Sequence, residues 1–191
     1  PVTWTLSMPG SYVPPGEIIN ALAVQFPIIG LALSALLIFA GAYSITKVMA
    51  FNLLFPTTTY LSYIFYLLTA CGIWFAGANL SAIISAYLII RACGLFMSSF
   101  VRNDSFGITF RAALLLGTVP LLYPLGAIYI LLMPVAMVIF MRSGREAIVC
   151  WFGAVLPAMF TAYIVWALGG GFTQLFIGWW EDAVSATGGI P

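Results

Sequence analysis

The chain has 191 residues, 63% of them hydrophobic and only 6% charged, and its formal net charge is +1. Soluble domains carry roughly 25% charged residues, and a mean hydropathy of +1.13 implies more apolar surface than a soluble core can bury. The composition therefore indicates an integral membrane protein, and the absence of histidine excludes His-ligated haem or zinc and Ser-His or Cys-His nucleophile pairs.

Apolar runs of nearly 20 residues recur along the chain, which is the length that crosses about 30 Å of hydrocarbon. The runs are continuously apolar and lack the alternation of a transmembrane β-barrel, so the predicted fold class is all-α. A proline-rich segment, 1–24, comes first and contains one charge, Glu17. Six predicted membrane-spanning helices follow it, at 25–43, 58–76, 80–101, 107–125, 126–141 and 147–168.

The links between these spans predict one bundle, 25–168, built largely of helical hairpins. The second and third spans are joined by GANLS, and the fourth and fifth by a Pro-Leu-Gly turn. Three glycines, 169–171, end the sixth span, because glycine adopts the left-handed backbone that stops a helix. In the tail, 169–191, Trp179 and Trp180 precede two acids, which predicts a short interfacial helix over about 172–184.

Positive charges orient the predicted bundle. They fall after the first, third and fifth spans and just inside the fourth: Lys47, Arg102, Arg111, Arg142 and Arg145. Loops rich in Lys and Arg stay cytoplasmic, so the segments 1–24 and 169–191 are both expected on the outer side of the membrane. Two explanations of the outer N-terminal segment stay open: direct translocation of a tail without Lys or Arg, or a further helix upstream. No signal-peptide pattern precedes the first span.

Local signals near the ends of the spans have structural interpretations. Ser143 and Glu146 have the spacing of a capping box, which would start the sixth span, with docking of a cytoplasmic partner as the alternative. The three cysteines lie in apolar stretches without metal-ligand spacing and are predicted to be small, buried packing residues. No metal or cofactor is expected.

Arg91 is the exception among the charges, because it lies near the middle of the third span. An intramembrane ionisable residue is a functional hypothesis by default, and no carboxylate lies inside a span to pair with it. It is predicted either to capture an anionic headgroup, such as a lipid phosphate, or to extend towards cytoplasmic headgroups or exposed carbonyls.

Aromatic residues at the outer side supply the other candidate binding residues. Trp179 and Trp180 are expected to anchor the tail at the interface, with a sugar-stacking platform as the alternative. Pro120, Tyr123 and Pro124 are expected to kink the fourth span and free carbonyl groups, which predicts a cleft towards the outer leaflet with Tyr123 beside it.

The stretch FRAALLLGTVPLLYPLGAIYILLMPVAMVIFMRSGREAIVCWFGAVLPAMFTAYIVWAL combines a Tyr-Pro break, a basic turn with Arg-Glu and a helix containing Leu-Pro. Over about 47–168 the chain resembles an uncharacterised family of polytopic inner-membrane proteins from Bacteroidota, which implies one more helix upstream. More distantly it resembles the polyprenyl-phosphate-dependent membrane glycosyltransferases of the C superfamily. That resemblance implies a catalytic acid in the first external loop, where Glu17 stands in place of the usual Asp.

Three functions follow as hypotheses. The first is a non-enzymatic structural or accessory subunit of a membrane complex, which contacts lipids and pairs with a membrane-protein partner or a second copy through small-residue faces such as Gly72 with Ala76 and Ala82 with Ala86. The second is a lipid-linked glycosyltransferase or lipid-handling enzyme that uses Glu17, with Arg91 near a phosphate. The third is a small-solute transporter or substrate-capture subunit, which the lack of buried acids disfavours. No nucleic-acid partner is expected.

Overall fold

The computed structural model describes residues 15–51, 61–75, 79–101, 106–139, 143–167, 173 and 176–178. The regular elements in this part of the chain are all helical, which confirms the predicted all-α class for it. They are α1 Pro15–Gln25, α2 Pro27–Phe51, α3 Leu61–Phe75, α4 Leu80–Val101, α5 Phe106–Leu122, a 3-10 turn Pro124–Ala127, α6 Ile128–Ile139 and α7 Gly144–Ala167.

Three helices are long and apolar enough to cross a membrane. They contain the stretches Pro27–Ala50, Leu80–Ser99 and Gly144–Ala167, and correspond to the first, third and sixth predicted spans. The apolar helices α3 and α5 have 15 and 17 residues, and α6 has 12. About 20 residues are needed to cross a bilayer perpendicularly, so six crossings remain a prediction.

Helix α5 lies at the centre of the described bundle and packs on both α4 and α7. Small residues make the α5–α7 contact close, since a Cβ added to Gly117 would stand 2.2 Å from the Ala154 carbonyl oxygen. Gly153 of α7 packs equally closely on α5, since a Cβ added to it would lie 2.9 Å from both the Phe110 carbonyl oxygen and the Ala113 Cβ. Small residues are the usual means by which membrane helices approach one another, because lipid supplies no hydrophobic force between helices.

Helices α2 and α4 run parallel, and α3 runs antiparallel to α2. Ile38 shares a cavity with Ala82 and Ala86 near the start of α4, while Val48, ten residues later, contacts Gly94. Tyr66 of α3 packs its hydroxyl against Gly41 of α2. The predicted hairpin of the second and third spans is therefore not a closely packed pair among the described residues: α3 packs on α2, and a cavity lies between α3 and α4.

Helix α1 was not predicted, because its residues were assigned to the proline-rich segment 1–24 that precedes the first span. Pro15 is the first residue of α1, a position where the missing N–H costs no hydrogen bond. The Asn20 side chain accepts from the Ser81 N–H and donates to the Ser81 Oγ, both at 3.0 Å, so it caps the start of α4. Gly16 lies against the Leu122 carbonyl at the end of α5. Helix α1 thus covers one end of the α4–α5 pair.

Hydroxyl groups in the helices bond to their own backbone. The residues that donate to a carbonyl three or four positions earlier are Ser34, Ser44, Thr46, Thr69, Ser85, Ser98, Ser99, Thr118 and Thr161. A hydroxyl in hydrocarbon has no water to bond, so this pattern suits helices that are surrounded by lipid. Among the buried hydroxyls that the structure describes, that of Thr109 has no hydrogen-bond partner.

The start of α7 confirms the backbone half of the predicted capping box. The Glu146 N–H lies 3.4 Å from Ser143 Oγ and 3.0 Å from the Ser143 carbonyl oxygen, and Glu146 itself is buried.

The prediction that the three cysteines are buried was only partly right. Cys150 is buried against Met133, with 3.6 Å between the sulfurs, whereas Cys71 is half-buried and Cys93 is exposed.

Candidate functional site

Arg91 opens onto a cleft between α2 and α4. This α2–α4 cleft has a volume of about 330 Å³ and is lined mainly by Ser44, Lys47 and Val48 of α2 and by Arg91, Gly94 and Ser98 of α4. Two cations from neighbouring helices therefore face one space. Arg91 forms no hydrogen bond or ion pair with any residue that the structure describes. Arg91, the predicted binding residue, thus lies at a cleft that a second cation, Lys47, also lines.

The register of α2 and α4 explains why the two cations meet. Val48 packs its Cγ2 where Gly94 has no side chain, 2.5 Å from the position of an added Cβ. Lys47 precedes Val48, and Arg91 precedes Gly94 by almost one helical turn. Because the two helices are parallel at this contact, Lys47 and Arg91 both approach the same space.

None of the residues that line the cleft is an acid. The described carboxylates are Glu17, in the first turn of α1, and Glu146, in the first turn of α7, and neither lines the cleft. Like charges in a medium of reduced dielectric constant repel each other more strongly than in water. The cleft is therefore electrostatically suited to an anion.

The remaining polar groups of the cleft are already engaged. Ser44 donates its hydroxyl to the Ala40 carbonyl at 2.7 Å, and Ser98 donates to the Leu95 carbonyl at 2.8 Å. The charged groups that face the cleft are the guanidinium of Arg91 and the ammonium of Lys47. An Arg fork together with a Lys point charge is a combination that binds phosphate and carboxylate oxygens. The arrangement can hold and orient an anion; it contains no nucleophile paired with a base.

The predicted catalytic acid, Glu17, lies elsewhere. It is exposed on α1, next to Gly16, which touches the end of α5. The α2–α4 cleft does not include it, so the described structure does not bring Glu17 and Arg91 into one site. Within the described residues there is also no group of three or more His, Cys, Asp or Glu side chains that could hold a metal ion.

Of the aromatic residues predicted to bind a ligand, the structure describes Tyr123 but not the two tryptophans. Tyr123 is partly exposed and connects α5 to the 3-10 turn, where its N–H bonds to the Val119 carbonyl at 2.9 Å and its carbonyl accepts from Gly126 at 2.8 Å. Gly126 in turn packs against the Val119 side chain, so the Tyr-Pro break is a compact turn. Trp179 and Trp180 lie outside the described residues; before them, 176–178 are helical.

Lys47 is the residue that the sequence reasoning missed, because it was assigned to the loop after a span ending at residue 43. Helix α2 continues to Phe51, which places Lys47 on a helical face. The signal was available in the spacing: Ser44, Lys47 and Val48 are three and four residues apart, as are Arg91, Gly94 and Ser98. Each set marks one helix face that carries polar side chains within an apolar helix.

A second cavity, of about 150 Å³, lies between α2, α3 and α4. Apolar side chains dominate its lining, including Ile38, Ile73, Trp74 and Ile83, and the Tyr66 side chain is one of its few polar contributors. It lies near the start of α4, whereas the α2–α4 cleft lies further along both helices.

In the part of the chain that the structure describes, the regular elements are helical, three helices are long and apolar enough to cross a membrane, and a cationic cleft lies between two of them. Comparisons with protein-family models, with curated proteins and with solved structures found no match to this chain.

Proposed function

We propose that the chain is a polytopic protein of the bacterial inner membrane that serves as a structural or accessory subunit, and that an exposed face of α3 binds a helix of its partner. The α3 face consists of Leu61, Phe65, Leu68 and Gly72, whose spacing follows one side of a helix. The three large side chains are 58%, 61% and 66% exposed.

Gly72 is the observation that supports this proposal. Seven of the described glycines fit against a neighbouring element, where an added Cβ would come within 3.1 Å of another group: Gly16, Gly30, Gly41, Gly94, Gly117, Gly126 and Gly153. Among the described residues, Gly107 and Gly144 have no neighbour beside them, but they lie at the starts of helices. Gly72 is inside α3, and an added Cβ there would meet no described residue within 4 Å.

A glycine inside a helix costs about 1 kcal/mol relative to alanine. Close packing of another backbone is the usual compensation in membranes, where small residues permit helices to approach. Within this chain, Gly117 and Gly153 make such contacts between α5 and α7. The α3 face therefore has the composition of a helix-packing surface, and among the described helices α3 packs mainly on α2. A partner helix or the α3 of a second copy would complete the contact.

The proposed orientation follows from the positive charges. Arg145 at the start of α7 and Lys47 near the end of α2 are at the cytoplasmic side, while α1 and the residues after α7 are at the outer side. The antiparallel course of α2 and α3 is consistent with this alternation.

Replacing Leu68 with a photo-reactive amino acid is expected to crosslink the chain, in native membranes, to one defined membrane protein or to a second copy. The same amino acid at Phe152, which is 70% exposed on α7, should yield no defined product. Adding Gly72→Leu to the Leu68 probe should abolish the crosslink, because leucine occupies the space of the partner backbone. Ala32→Leu, at an exposed position of α2, is the matched control and should leave the crosslink unchanged.

Three outcomes would contradict the proposal. The first is a chain that runs as a lone monomer after mild solubilisation and gives no crosslink from position 68. The second is an equal pattern of products from positions 68 and 152, which would mean random contacts in the membrane. The third is an identical response to Gly72→Leu and Ala32→Leu.

A further inference from the structure

We infer that the α2–α4 cleft binds the phosphate group of an anionic phospholipid, taken from the leaflet at the C-terminal ends of α2 and α4. The inference does not depend on the proposed partner of α3, because a different pair of helices carries it. It rests on the two cations, on the absence of an acid among the residues that line the cleft, and on the position of the cleft along the helices.

The charge balance favours an anion that comes from outside the described chain. Lys47 and Arg91 both line the cleft, and Arg91 has no hydrogen-bonding or ionic partner among the described residues. A cation near the middle of a membrane helix is costly unless it is hydrated or paired. An anion between the two side chains pairs Arg91 and offsets the repulsion between the two positive charges.

The donor set fits phosphate. The guanidinium of Arg91 offers a planar pair of N–H groups, and the ammonium of Lys47 offers a compact point charge. The Ser44 and Ser98 hydroxyls donate to carbonyls of their own helices, so the cleft presents mainly charged donors. A phosphate diester has two unesterified oxygens that accept only, and one can face each cation.

The rest of the lining points to a lipid as the source of the phosphate. Val48, Ile90 and Leu95 supply apolar surface beside the cations. Such surface offers no hydrogen bond to a fully hydrated ion, but it can contact glycerol and acyl carbons. The cleft is open towards its surroundings, and neighbouring faces of α2 carry exposed apolar residues such as Phe39 and Tyr43. A lipid can therefore enter sideways with its chains along α2.

The position of the cleft selects one leaflet. Lys47 is four residues before the end of α2 at Phe51, or about 6 Å along the axis, and Arg91 is ten residues before the end of α4 at Val101, or about 15 Å. Long cationic side chains extend towards the nearer headgroup layer, so both can reach the same phosphate level. In the proposed orientation this is the cytoplasmic leaflet, where anionic lipids attract basic residues.

Native mass spectrometry of the purified full chain tests the inference directly. After delipidation and titration with phosphatidylglycerol, the wild type is expected to retain one bound lipid at concentrations where the Lys47→Gln/Arg91→Gln double variant retains at least about tenfold less. Arg145→Gln, which removes an exposed cation outside the cleft, is the matched control and should stay within about twofold of the wild type. Phosphatidylcholine, which carries no net charge, should bind weakly to all three proteins.

Thermal unfolding of the wild type, of Arg145→Gln and of the single variant Arg91→Gln separates loss of the site from loss of the fold. Phosphatidylglycerol should raise the Tm of the wild type and of Arg145→Gln, but not that of Arg91→Gln. Without lipid, Arg91→Gln should be at least as stable as the wild type, because it removes an uncompensated charge. Equal lipid retention in the double variant and in the wild type would overturn the inference, as would equal losses in the double variant and in Arg145→Gln. If the cleft bound inorganic phosphate saturably but retained no phospholipid, the proposal that the bound phosphate group belongs to a lipid would be overturned.

Discussion

Replacing Gly117 with valine is expected to lower the free energy of unfolding by about 3 kcal/mol or more, which is the upper part of the range for overpacked cores. An added Cβ would stand 2.2 Å from the Ala154 carbonyl oxygen, and that oxygen belongs to the backbone of α7. No rotamer change relieves the overlap, so α5 and α7 must separate. The two helices form the most extensive contact in the described bundle, and their separation weakens its centre.

Unfolding of the purified chain in mixed micelles, followed by circular dichroism as SDS is increased, measures this effect. Gly107→Ala is the matched control on the same helix, because an added Cβ there meets nothing within 4 Å. Gly117→Ala should lie between the control and the valine variant. Unfolding curves that superimpose for Gly117→Val and Gly107→Ala would show that the α5–α7 contact does not hold the bundle together.

The second large effect is expected at Gly16, where valine should release α1 from the bundle without unfolding the rest. An added Cβ would stand 2.0 Å from the Leu122 carbonyl oxygen, again a backbone atom. Helix α1 has only 11 residues, and besides the Gly16 contact the Asn20–Ser81 hydrogen bonds attach it to α4. The free energy of docking α1 is therefore small compared with the free energy of unfolding the bundle. Local opening of such an element leaves the global fold intact.

Hydrogen exchange in lipid nanodiscs tests the release of α1. The backbone amides of α1 are expected to exchange at least about tenfold faster in Gly16→Val than in the wild type, while those at the centre of α5 keep their protection. Ala21→Val, at an exposed position of the same helix, should change neither. If α1 in Gly16→Val stays as protected as in the wild type, the contact with Leu122 is not what holds it.

The helices that sequence reasoning located well are those with long uninterrupted apolar runs. Helices α2, α4 and α7 have such runs, and hydropathy over about 20 residues is enough to find them. Helix α1 was missed because the segment 1–24 is rich in proline and was placed ahead of the first span. Pro15 and Pro27 are instead the first residues of α1 and α2, a position that favours proline because its N–H would be unpaired anyway. Position within a helix, which sequence gives poorly, decides the effect of proline.

At the candidate site, too, one residue could be found from the sequence and the other depended on the fold. Arg91 could be singled out from its depth in an apolar run, since a charge there is exceptional. Lys47 lies in a polar spacing that the sequence does show, but its role depends on where α2 ends and on which helix lies beside it. The parallel pairing of α2 with α4 is a tertiary choice that is not visible in either segment, and it also separates α3 from its sequence neighbour α4. Lipid-facing and helix-facing apolar residues look alike in one sequence.

The proposed orientation of the bundle places α1 outside and the α2–α4 cleft in the cytoplasmic leaflet, and both proposals use it. Two variants, each with one added cysteine, test it: Glu17→Cys on α1 and Gly144→Cys at the start of α7, both at exposed positions. Cys71 and Cys93 are first replaced with alanine, while Cys150, which is 2% exposed, is kept. Intact spheroplasts are then treated with a membrane-impermeant maleimide. The orientation predicts labelling at position 17 in intact spheroplasts and at position 144 only after permeabilisation; the reverse pattern, or labelling of both positions before permeabilisation, would contradict it.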